Sequence, residues 1–485
     1  MSTATIIYPH QLFATHPALA PDRPVYLVEE PLLLTYNPIH RAKLILHKCS
    51  LDAYQTHLET AGYTVTRLTI HDHPRTTDVF ARLQRDGVTT IHIADTTDDY
   101  LERAIQKSGL TRVWYESPLF LLSRQEAMAR FTDSTRQLAR FYKQLRLDRN
   151  ILVDTDGQPH GGQWSFDTDN RKRLPNDCPI PEDISSYGNR DTVAAEEWAA
   201  QVAAEQYGEA TCWLPYTHEG AQKFLQEFLC ARFATFGPYE DAMTTHGIRL
   251  WHSTLSPLIN IGLLTPEQVL DAALTYATAH AVPLNSLEGF VRQLLGWREF
   301  MRASYEVDGR VMRTQNYFQH TRRLSAAEWQ GETGLLPFDH VTATALQYGY
   351  THHIERLMVV GNYFLLTGTH PDEVYRWFMG LYLDAYDWVM VPNVYGMSQY
   401  ADGGSFATKP YIAGANYLKK MSDFPSGAWE ATFTALYWHF IASHQETFAQ
   451  NHRTSMLPRT LARLAAETRD AHYTRATSYL AQLAK

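Results

Sequence analysis

The sequence predicts an α/β domain with a parallel sheet, followed by a large and nearly all-α domain. Within residues 1–130, short apolar runs alternate with amphipathic helical stretches, the pattern of strands joined by crossover helices. A segment rich in Gly, Pro, Asp and Asn follows, and beyond it apolar residues recur at helical spacing. We therefore expect an α/β domain over 1–130, an interdomain connection over 131–195 and a helical domain over 196–485.

The strands of the first domain are predicted at the apolar runs TIIYP, VYLVE, TVTRLTI, TIHIAD and RVWYE. Helices are predicted between them, from Arg41 to Leu58, near Val79 and near Leu101. The loop after the first run reads YPHQLF and lacks the G-x-G-x-x-G that holds a dinucleotide phosphate. An ordinary dinucleotide site is therefore not expected in this domain.

The helices of the second domain are predicted from long periodic segments. Examples are AQKFLQEFLCARF, LEGFVRQLLGWREFMR, HHIERLMVVGNYFLL and DEVYRWFMGLYLDAYDWVM. Their apolar residues recur at three- and four-residue intervals, and strand-like alternation is scarce. With 485 residues, the chain is long enough to bury a large core around a cofactor.

The charge and cysteine content exclude several classes of protein. A formal net charge of −9 argues against binding nucleic acid with the whole surface, so such a site would be a local basic patch. The four cysteines lie far apart without a C-x-x-C pair, which excludes a zinc knuckle or a disulfide framework. We see no apolar run near the ~20 residues of a membrane span and no secretory signal. We expect a cytoplasmic, monomeric protein without membrane contact.

Hydroxyl side chains cluster in the segment HSTLSP, ahead of the helix that Thr265 and Pro266 would begin. Hydroxyls and free backbone N–H groups at the start of a helix can hold a diphosphate, although ordinary capping is the alternative. The candidate phosphate-binding residues are Ser253, Thr254, Leu255 and Ser256.

The segment LEGFVRQLLGWREF places Gln293, Trp297 and Arg298 on neighbouring helical turns. One aromatic ring beside polar groups suits the wall of a ligand site. For Trp297 taken singly, a place in the core is the alternative.

Together, these segments resemble the FAD domain of photolyases and cryptochromes. The motifs are STLSP, GWREFMR, HHIERLM, PNVYGMSQYADGG and TKPY, and the likeness covers essentially the whole chain. It is closest to the bacterial branch related to (6-4) photolyases, which usually carries an iron–sulfur cluster. The resemblance implies a Rossmann-like α/β domain, a helical FAD domain, and light-driven repair of (6-4) photoproducts in UV-damaged DNA.

The resemblance also implies the residues that hold the flavin. Arg356 and Asp384, 28 residues apart, would form a buried pair beside the isoalloxazine ring. Because nearby positive charge stabilises an anion, this pair suits a fully reduced flavin. The other FAD-binding residues that it implies are the stretch from Ser253 to Ser256, Gln293, Arg298, and Asn393 facing flavin N5.

The resemblance makes His353, with His352 before it, the catalytic residue. An imidazole can donate and recover the proton that moves in (6-4) repair. Photolyases for cyclobutane dimers tend to have Asn where His353 stands, which favours the (6-4) lesion. The second active-site histidine of the animal enzymes is Leu357 here, so a two-histidine mechanism is not carried over.

The remaining implied residues contact DNA or carry electrons. The lesion would be flipped into an apolar and aromatic pocket beside a local basic patch, to which Lys419 and Lys420 also belong. The implied DNA- and lesion-binding residues are Trp297, Met397, Lys409, Tyr411, Tyr417 and Arg171. The implied electron-transfer residues are Trp377, Trp329 and Tyr386, while Phe378 replaces a tyrosine common in the branch.

The resemblance also bears on three further cofactors: a divalent cation, an iron–sulfur cluster and an antenna chromophore. Asp167 and Asp241 match acidic positions linked to a divalent cation such as Mg²⁺, with solvated carboxylates as the alternative. The branch binds its cluster through cysteines near Pro337 and after the M-S-D motif, but this chain has none there, so no iron–sulfur cluster is expected.

Relatives bind a ribityllumazine antenna in the first domain. Here His10 replaces an acidic residue and His47 an apolar one, so the antenna is expected to be absent or different. Glu29, Glu30, Tyr36 and Lys43 remain as candidates to line such a pocket.

Two alternative functions remain open from the sequence. A cryptochrome-like blue-light photoreceptor would use the same flavin for signalling, and a cyclobutane pyrimidine dimer photolyase would act on the other common lesion. A repair assay with each lesion separates these readings.

Overall fold

The computed structural model describes residues 2–132, 136–175, 177–183, 192–203 and 205–483. Its first part contains a sheet whose strands are all parallel and run in the order β3-β2-β1-β4-β5. The strands are β1 Ser2–Ile7, β2 Val25–Val28, β3 Val65–Leu68, β4 Val88–Ala94 and β5 Thr111–Tyr115.

Successive residues of the sheet face opposite layers of helices. Ile6 packs in one buried cluster with Val79 and Leu101, whereas Ile7 packs in another with Tyr54. Alternation along a strand explains this division, because neighbouring side chains point to opposite faces. The helices of these layers are α1 Pro31–Leu34, α2 Arg41–Thr60, α3 Thr76–Arg85 and α4 Asp99–Lys107.

The rest of the described chain is helical, and the predicted fold class is confirmed. Across these parts of the chain, no helix combines the length and apolar character that a membrane crossing needs. The helices are α5 Arg124–Arg130, α6 Leu138–Asp148, α7 Val193–Val202, α8 His218–Ala231, α9 Phe233–Phe236, α10 Ser256–Asn260, α11 Pro266–His280, α12 Leu284–Val291, α13 Glu299–Thr314, α14 Ala326–Gln330, α15 Leu336–Tyr348, α16 Asn362–Leu366, α17 Pro371–Leu381, α18 Asp387–Val391, α19 Ala415–Met421, α20 Ala428–Ser443, α21 Gln445–Gln450, α22 Met456–Arg463 and α23 Ala466–Leu483.

Three helical stretches widen into π-helical turns, at Arg292–Arg298, Glu355–Gly361 and Pro392–Ser398. Each lies in one of the segments that carry the sequence motifs. Such turns are rare and concentrate at functional sites, because they re-aim side chains that a regular helix would point elsewhere.

Buried ionic and hydrogen-bonded contacts join the α/β part to α13. Arg302 pairs with Asp95 at 2.8 Å, and the carboxylate of Glu299 accepts the backbone N–H groups of Leu121 and Leu122 at 2.9 and 3.1 Å. Because Glu299 directly follows the π-helical turn at Arg292–Arg298, these contacts fix the position of that turn.

Aromatic packing occupies the segment that follows the M-S-D motif. Phe424 and Trp429 are buried with ring centroids 6.5 Å apart, and Phe424 meets His340 of α15 at 5.6 Å. The segment therefore contributes to an apolar core of the helical part.

Candidate functional site

A cavity of about 450 Å³ opens within the helical part of the chain. The three π-helical turns all contribute to its wall, as does α10 with the loop before it. The predicted site residues that line it are Ser253, Thr254, Leu255, Ser256, Gln293, Trp297, Arg298, His352, His353, Arg356, Asp384, Asn393, Met397, Tyr411, Arg171, Asp167 and Asp241.

Arg356 and Asp384 form an ion pair on the cavity wall, with Nη1 of Arg356 2.8 Å from Oδ1 of Asp384. Burial alone would raise the pKa of Asp384, but the guanidinium and the hydroxyl of Ser256, which donates at 2.7 Å, hold that pKa below its usual value. Arg356 also donates to the carbonyl of Thr351 at 2.8 Å and lies 3.9 Å from the ring centroid of Tyr382. The pair therefore keeps its charges and is held from several sides.

The helix predicted to begin at Thr265 and Pro266 is confirmed as α11, which begins at Pro266 and is capped by Thr265. A short helix that the sequence did not predict, α10, begins within the hydroxyl segment at Ser256. Thr254 has a left-handed φ of 53°, which turns the chain sharply ahead of α10. A non-glycine residue in this conformation is strained, and such strain is often found at functional sites.

Arg298 and Gln293 line the cavity from the first π-helical turn. The guanidinium of Arg298 lies 4.7 Å from the ring centroid of Trp388 and donates to Asn260 Oδ1 at 2.7 Å. Its Nη2 atom is buried and has no hydrogen-bond partner within the described residues. Burial lowers the pKa of Arg298 to about 10, so the side chain remains charged at neutral pH. Gln293 donates to Glu240 at 2.6 Å.

Asn393 reaches the wall from the third π-helical turn, at Pro392–Ser398, and its side-chain amide donates to the carbonyl of Val389 at 2.7 Å. This bond fixes the amide against α18 and leaves the side chain at the cavity surface.

Three histidines meet at the cavity, although the sequence singled out two. His353 is exposed to the cavity and meets Trp297 edge to face at 5.6 Å. His352 is buried and stacks on His252, with ring centroids 4.7 Å apart and planes at 12°. The surrounding protein lowers the pKa of His353 to about 4, and Arg356 adds to this effect.

An apolar cluster forms the outer part of the cavity. Leu357, Met358, Met397 and Ala413 are buried together. The rings packed against them belong to Trp297, Phe406, Tyr411 and Tyr417. Tyr417 supports the cluster without lining the cavity itself, and Lys409 lies exposed outside it. Lys419 is paired with Glu430 at 2.8 Å, which weakens its part in the predicted basic patch.

Known proteins resemble this chain along most of its length. A family model described as deoxyribodipyrimidine photo-lyase-related protein matches residues 5–213. A (6-4) photolyase of Agrobacterium fabrum is 35% identical over 354 residues, which make up 71% of this chain and 70% of that protein. The chain belongs to the photolyase/cryptochrome family. The predicted relation to bacterial (6-4) photolyases is confirmed.

The overall fold agrees with two solved structures of the photolyase/cryptochrome family. A bacterial class III photolyase from Agrobacterium tumefaciens superposes with a TM-score of 0.58 at 16% identity, covering 100% of this chain and 98% of that one. A cryptochrome from Synechocystis gives 0.55 at 13% identity, with 100% and 99% covered. At these identities the likeness shows the fold alone.

The structure places the three predicted electron-transfer residues in two regions. Trp377 is fully buried, with Phe378 and Tyr382 at 5.4 and 5.8 Å, and Phe378 reaches the cavity wall. Trp329 stacks on Tyr207 at 4.5 Å, and its neighbour Glu328 accepts the indole N–H of Trp377 at 3.3 Å. Tyr386, the N-cap residue of α18, contacts the α/β part, where its hydroxyl lies 3.0 Å from Nε2 of His47.

The divalent cation predicted at Asp167 and Asp241 stays a prediction, and the structure shows a competing side-chain cation beside both acids. Arg171 pairs with Asp167 and lies 3.9 Å from Asp241, so a side-chain cation already stands between the two acids. Burial and the charge of Asp167 raise the pKa of Asp241 to about 6, which makes it a poorer ligand. The described residues include no group of three or more His, Cys, Asp or Glu arranged for a metal.

A second cavity of about 410 Å³ lies where α1 and the start of α2 meet α17 and the start of α18. Tyr36 and Lys43, two of the four candidates for an antenna pocket, line it together with Tyr386. The other candidates for an antenna pocket do not: Glu29 pairs with Arg67 at 2.9 Å, and Glu30 caps α1. Lys43 lies 4.4 Å from the ring centroid of Tyr386.

His10 and His47 are buried beside the ring of Tyr386, each with its ring centroid 6.2 Å away. The hydroxyl of Tyr386 lies 3.0 Å from Nε2 of His47, so this imidazole is fixed by the helical part of the chain.

The sequence reasoning missed several residues of the main cavity. His252 begins the HSTLSP motif and Arg292 precedes Gln293, so each is next to a predicted site residue. Trp388 follows the aromatic segment after Asp384, and its ring lies under Arg298. Their position next to the motifs is the sequence feature that could have identified them as residues lining the cavity.

Proposed function

We propose that the protein repairs DNA with light, using FAD in the main cavity to pass an electron to a (6-4) pyrimidine photoproduct. The observation that carries this proposal is that an ion pair, a histidine and apolar and aromatic side chains all line one cavity. A buried Arg356–Asp384 pair lies deep in the wall, and His353 with Trp297 stands at the apolar outer part. The name of the Agrobacterium fabrum relative, a (6-4) photolyase, agrees with it.

The residues present fit FAD. The cavity falls within the volume range of cofactor sites, and unpartnered polar atoms of Arg298 and His252 lie buried at its wall. Ser253, Thr254 and Ser256 would face the diphosphate, although the hydroxyls of Thr254 and Ser256 already donate to Ser253 O and to Asp384. Backbone N–H groups of this turn would then supply much of the phosphate contact.

When bound and reduced, FAD supplies one electron after it absorbs blue light. The protein's part is to make the anionic form of the bound ring stable and to bring the lesion close. Arg356 and Arg298 provide positive charge, while Asp384 keeps Arg356 oriented. Burial raises the pKa of Glu240 to about 7, so this acid contributes less than a full negative charge at neutral pH.

The apolar cluster at the outer cavity would receive the flipped lesion. Trp297, Met397 and Tyr411 offer flat and apolar surfaces on which bases stack. Arg171, which is exposed at the rim, would contact a phosphate or the duplex gap. His353 would hold and move the proton at the transferred oxygen or nitrogen.

The test is repair of an oligonucleotide that carries one (6-4) lesion, with FAD-loaded protein under blue light. His353→Ala should keep flavin and photoreduction but lose repair by about 10²-fold or more, because general acid catalysis contributes on that order. His280→Ala, on the exposed end of α11, is the matched control and should repair normally. Retained repair by His353→Ala would contradict the assigned role.

The same assay with a cyclobutane dimer identifies the lesion class. Repair of that dimer alone would replace the (6-4) proposal. Normal photoreduction without repair of either lesion would make the protein a photoreceptor.

A further inference from the structure

His352, which is buried, and His252, which is half-buried, line the same cavity as His353, and no step of the proposed reaction uses either ring. His252 and His352 stack almost in parallel at 4.7 Å. Within the described residues, neither ring nitrogen of His352 nor Nε2 of His252 has a hydrogen-bond partner. Buried polar atoms are nearly always satisfied, so three such nitrogens side by side call for a functional explanation.

Glu355 is the acid that reaches this pair. Its Oε2 atom accepts the backbone N–H of His352 at 3.2 Å and lies 3.6 Å from Nε2 of the same residue. This second distance is longer than a hydrogen bond, and catalytic bonds are often long before substrate binds. Glu355 is buried, with 7% of its surface exposed.

The charges around the cluster decide where a proton stays. Burial raises the pKa of Glu355 to about 8, although the backbone of His352 and the charge of Arg356 lower it. Burial lowers the pKa of His252 to about 3, and it lowers that of His352 well below the usual value. At neutral pH the carboxyl therefore holds the proton, and the imidazoles are neutral.

The other groups facing the cluster do not supply this proton. Arg356 is committed to Asp384 and to the carbonyl of Thr351. Tyr350 and Tyr382 interact electrostatically with Glu355, and burial raises the pKa of both phenols, so they remain neutral. A positive charge on one of the three imidazoles, those of His252, His352 and His353, disfavours protonation of the others, so the three together accept one proton at a time.

We propose that Glu355 is a positioning residue that stores the proton for His353 and passes it through His352. This inference rests on the proposed function. In the forward direction an O–H bond of Glu355 breaks as an N–H bond forms on one nitrogen of His352, and the N–H bond on the other nitrogen of His352 breaks as one forms on His353. His353 then breaks an N–H bond to protonate the lesion. When the lesion releases that proton at the end of the reaction, the same transfers run in reverse and return it to the carboxylate of Glu355, so both imidazoles end neutral and no electrons are consumed.

The first test measures the proton directly in FAD-loaded protein kept in the dark. Infrared spectra across a pH titration should show the carbonyl stretch of a protonated carboxyl that disappears as the pH rises through about 8. Glu355→Gln should remove this band. Glu30→Gln is the matched control, because Glu30 is also buried with a pKa raised to about 7 but caps α1 far from the cavity. An ionised Glu355 at pH 7 would overturn the proposal.

The second test follows repair against pH. Wild type should lose activity as the pH rises through about 8, because the stored proton is then gone. Glu355→Gln should be about 10²-fold slower with no such decline, and Glu355→Asp should restore part of the rate and the decline. A flat wild-type profile, or a Glu355→Gln profile like that of wild type, would refute the relay even if one variant failed to fold.

The two proposals fail in different ways. If wild type repairs neither lesion, the proposed function falls, while the infrared titration still reports where the proton resides. If wild type repairs the lesion and Glu355→Gln does so equally well, only the relay falls.

Discussion

Removing one charge from the Arg356–Asp384 pair should destabilise the protein strongly. In Asp384→Asn, the guanidinium stays buried but loses its counter-ion at 2.8 Å. Breaking a buried pair on one side costs about 3–5 kcal/mol. Because Arg356 keeps Thr351 and the face of Tyr382, we expect the lower end, about 3 kcal/mol.

Urea unfolding of the flavin-free protein at neutral pH measures this loss. The control is Asp52→Asn, which removes an exposed partner of Lys48 at 2.7 Å and should cost at most about 1 kcal/mol. The pair lowers the pKa of Asp384, so its stabilising effect is complete above about pH 4 and fades as the pH falls through the folded pKa. Equal unfolding free energies for the two variants at pH 7 would refute the assignment of a charged buried pair.

Two further predictions concern electron supply and metal content. Trp377→Phe should slow photoreduction of bound FAD while repair by chemically reduced protein continues, because Phe is hard to oxidise. Trp213→Phe, at another fully buried tryptophan, controls for lost packing, and equal photoreduction in both variants would show that electrons enter elsewhere. Purified protein should contain flavin but no stoichiometric iron or labile sulfide, since cysteines are missing from the cluster region, and iron at one cluster per chain would contradict this reading.

Local patterns of apolar residues in the sequence predicted most of the fold. Strand and helix positions follow from apolar spacing, so the parallel sheet and the helical remainder agree with prediction. The ion pair between Arg356 and Asp384 was also anticipated, but from the resemblance rather than from spacing. Nothing in the sequence indicated the three π-helical turns, because a single widened turn leaves the apolar period nearly unchanged.

The sequence by itself determined the fold class, the family and about half of the residues that line the cavity. Only the tertiary structure decided which charges meet: Arg171 stands between Asp167 and Asp241, Tyr386 turns toward His47, and Glu355 lies behind the stacked histidines. The physical reason is how far apart in the chain the interacting residues lie. Local periodicity fixes an element and its buried face, whereas electrostatic partners far apart in the chain depend on how those elements pack.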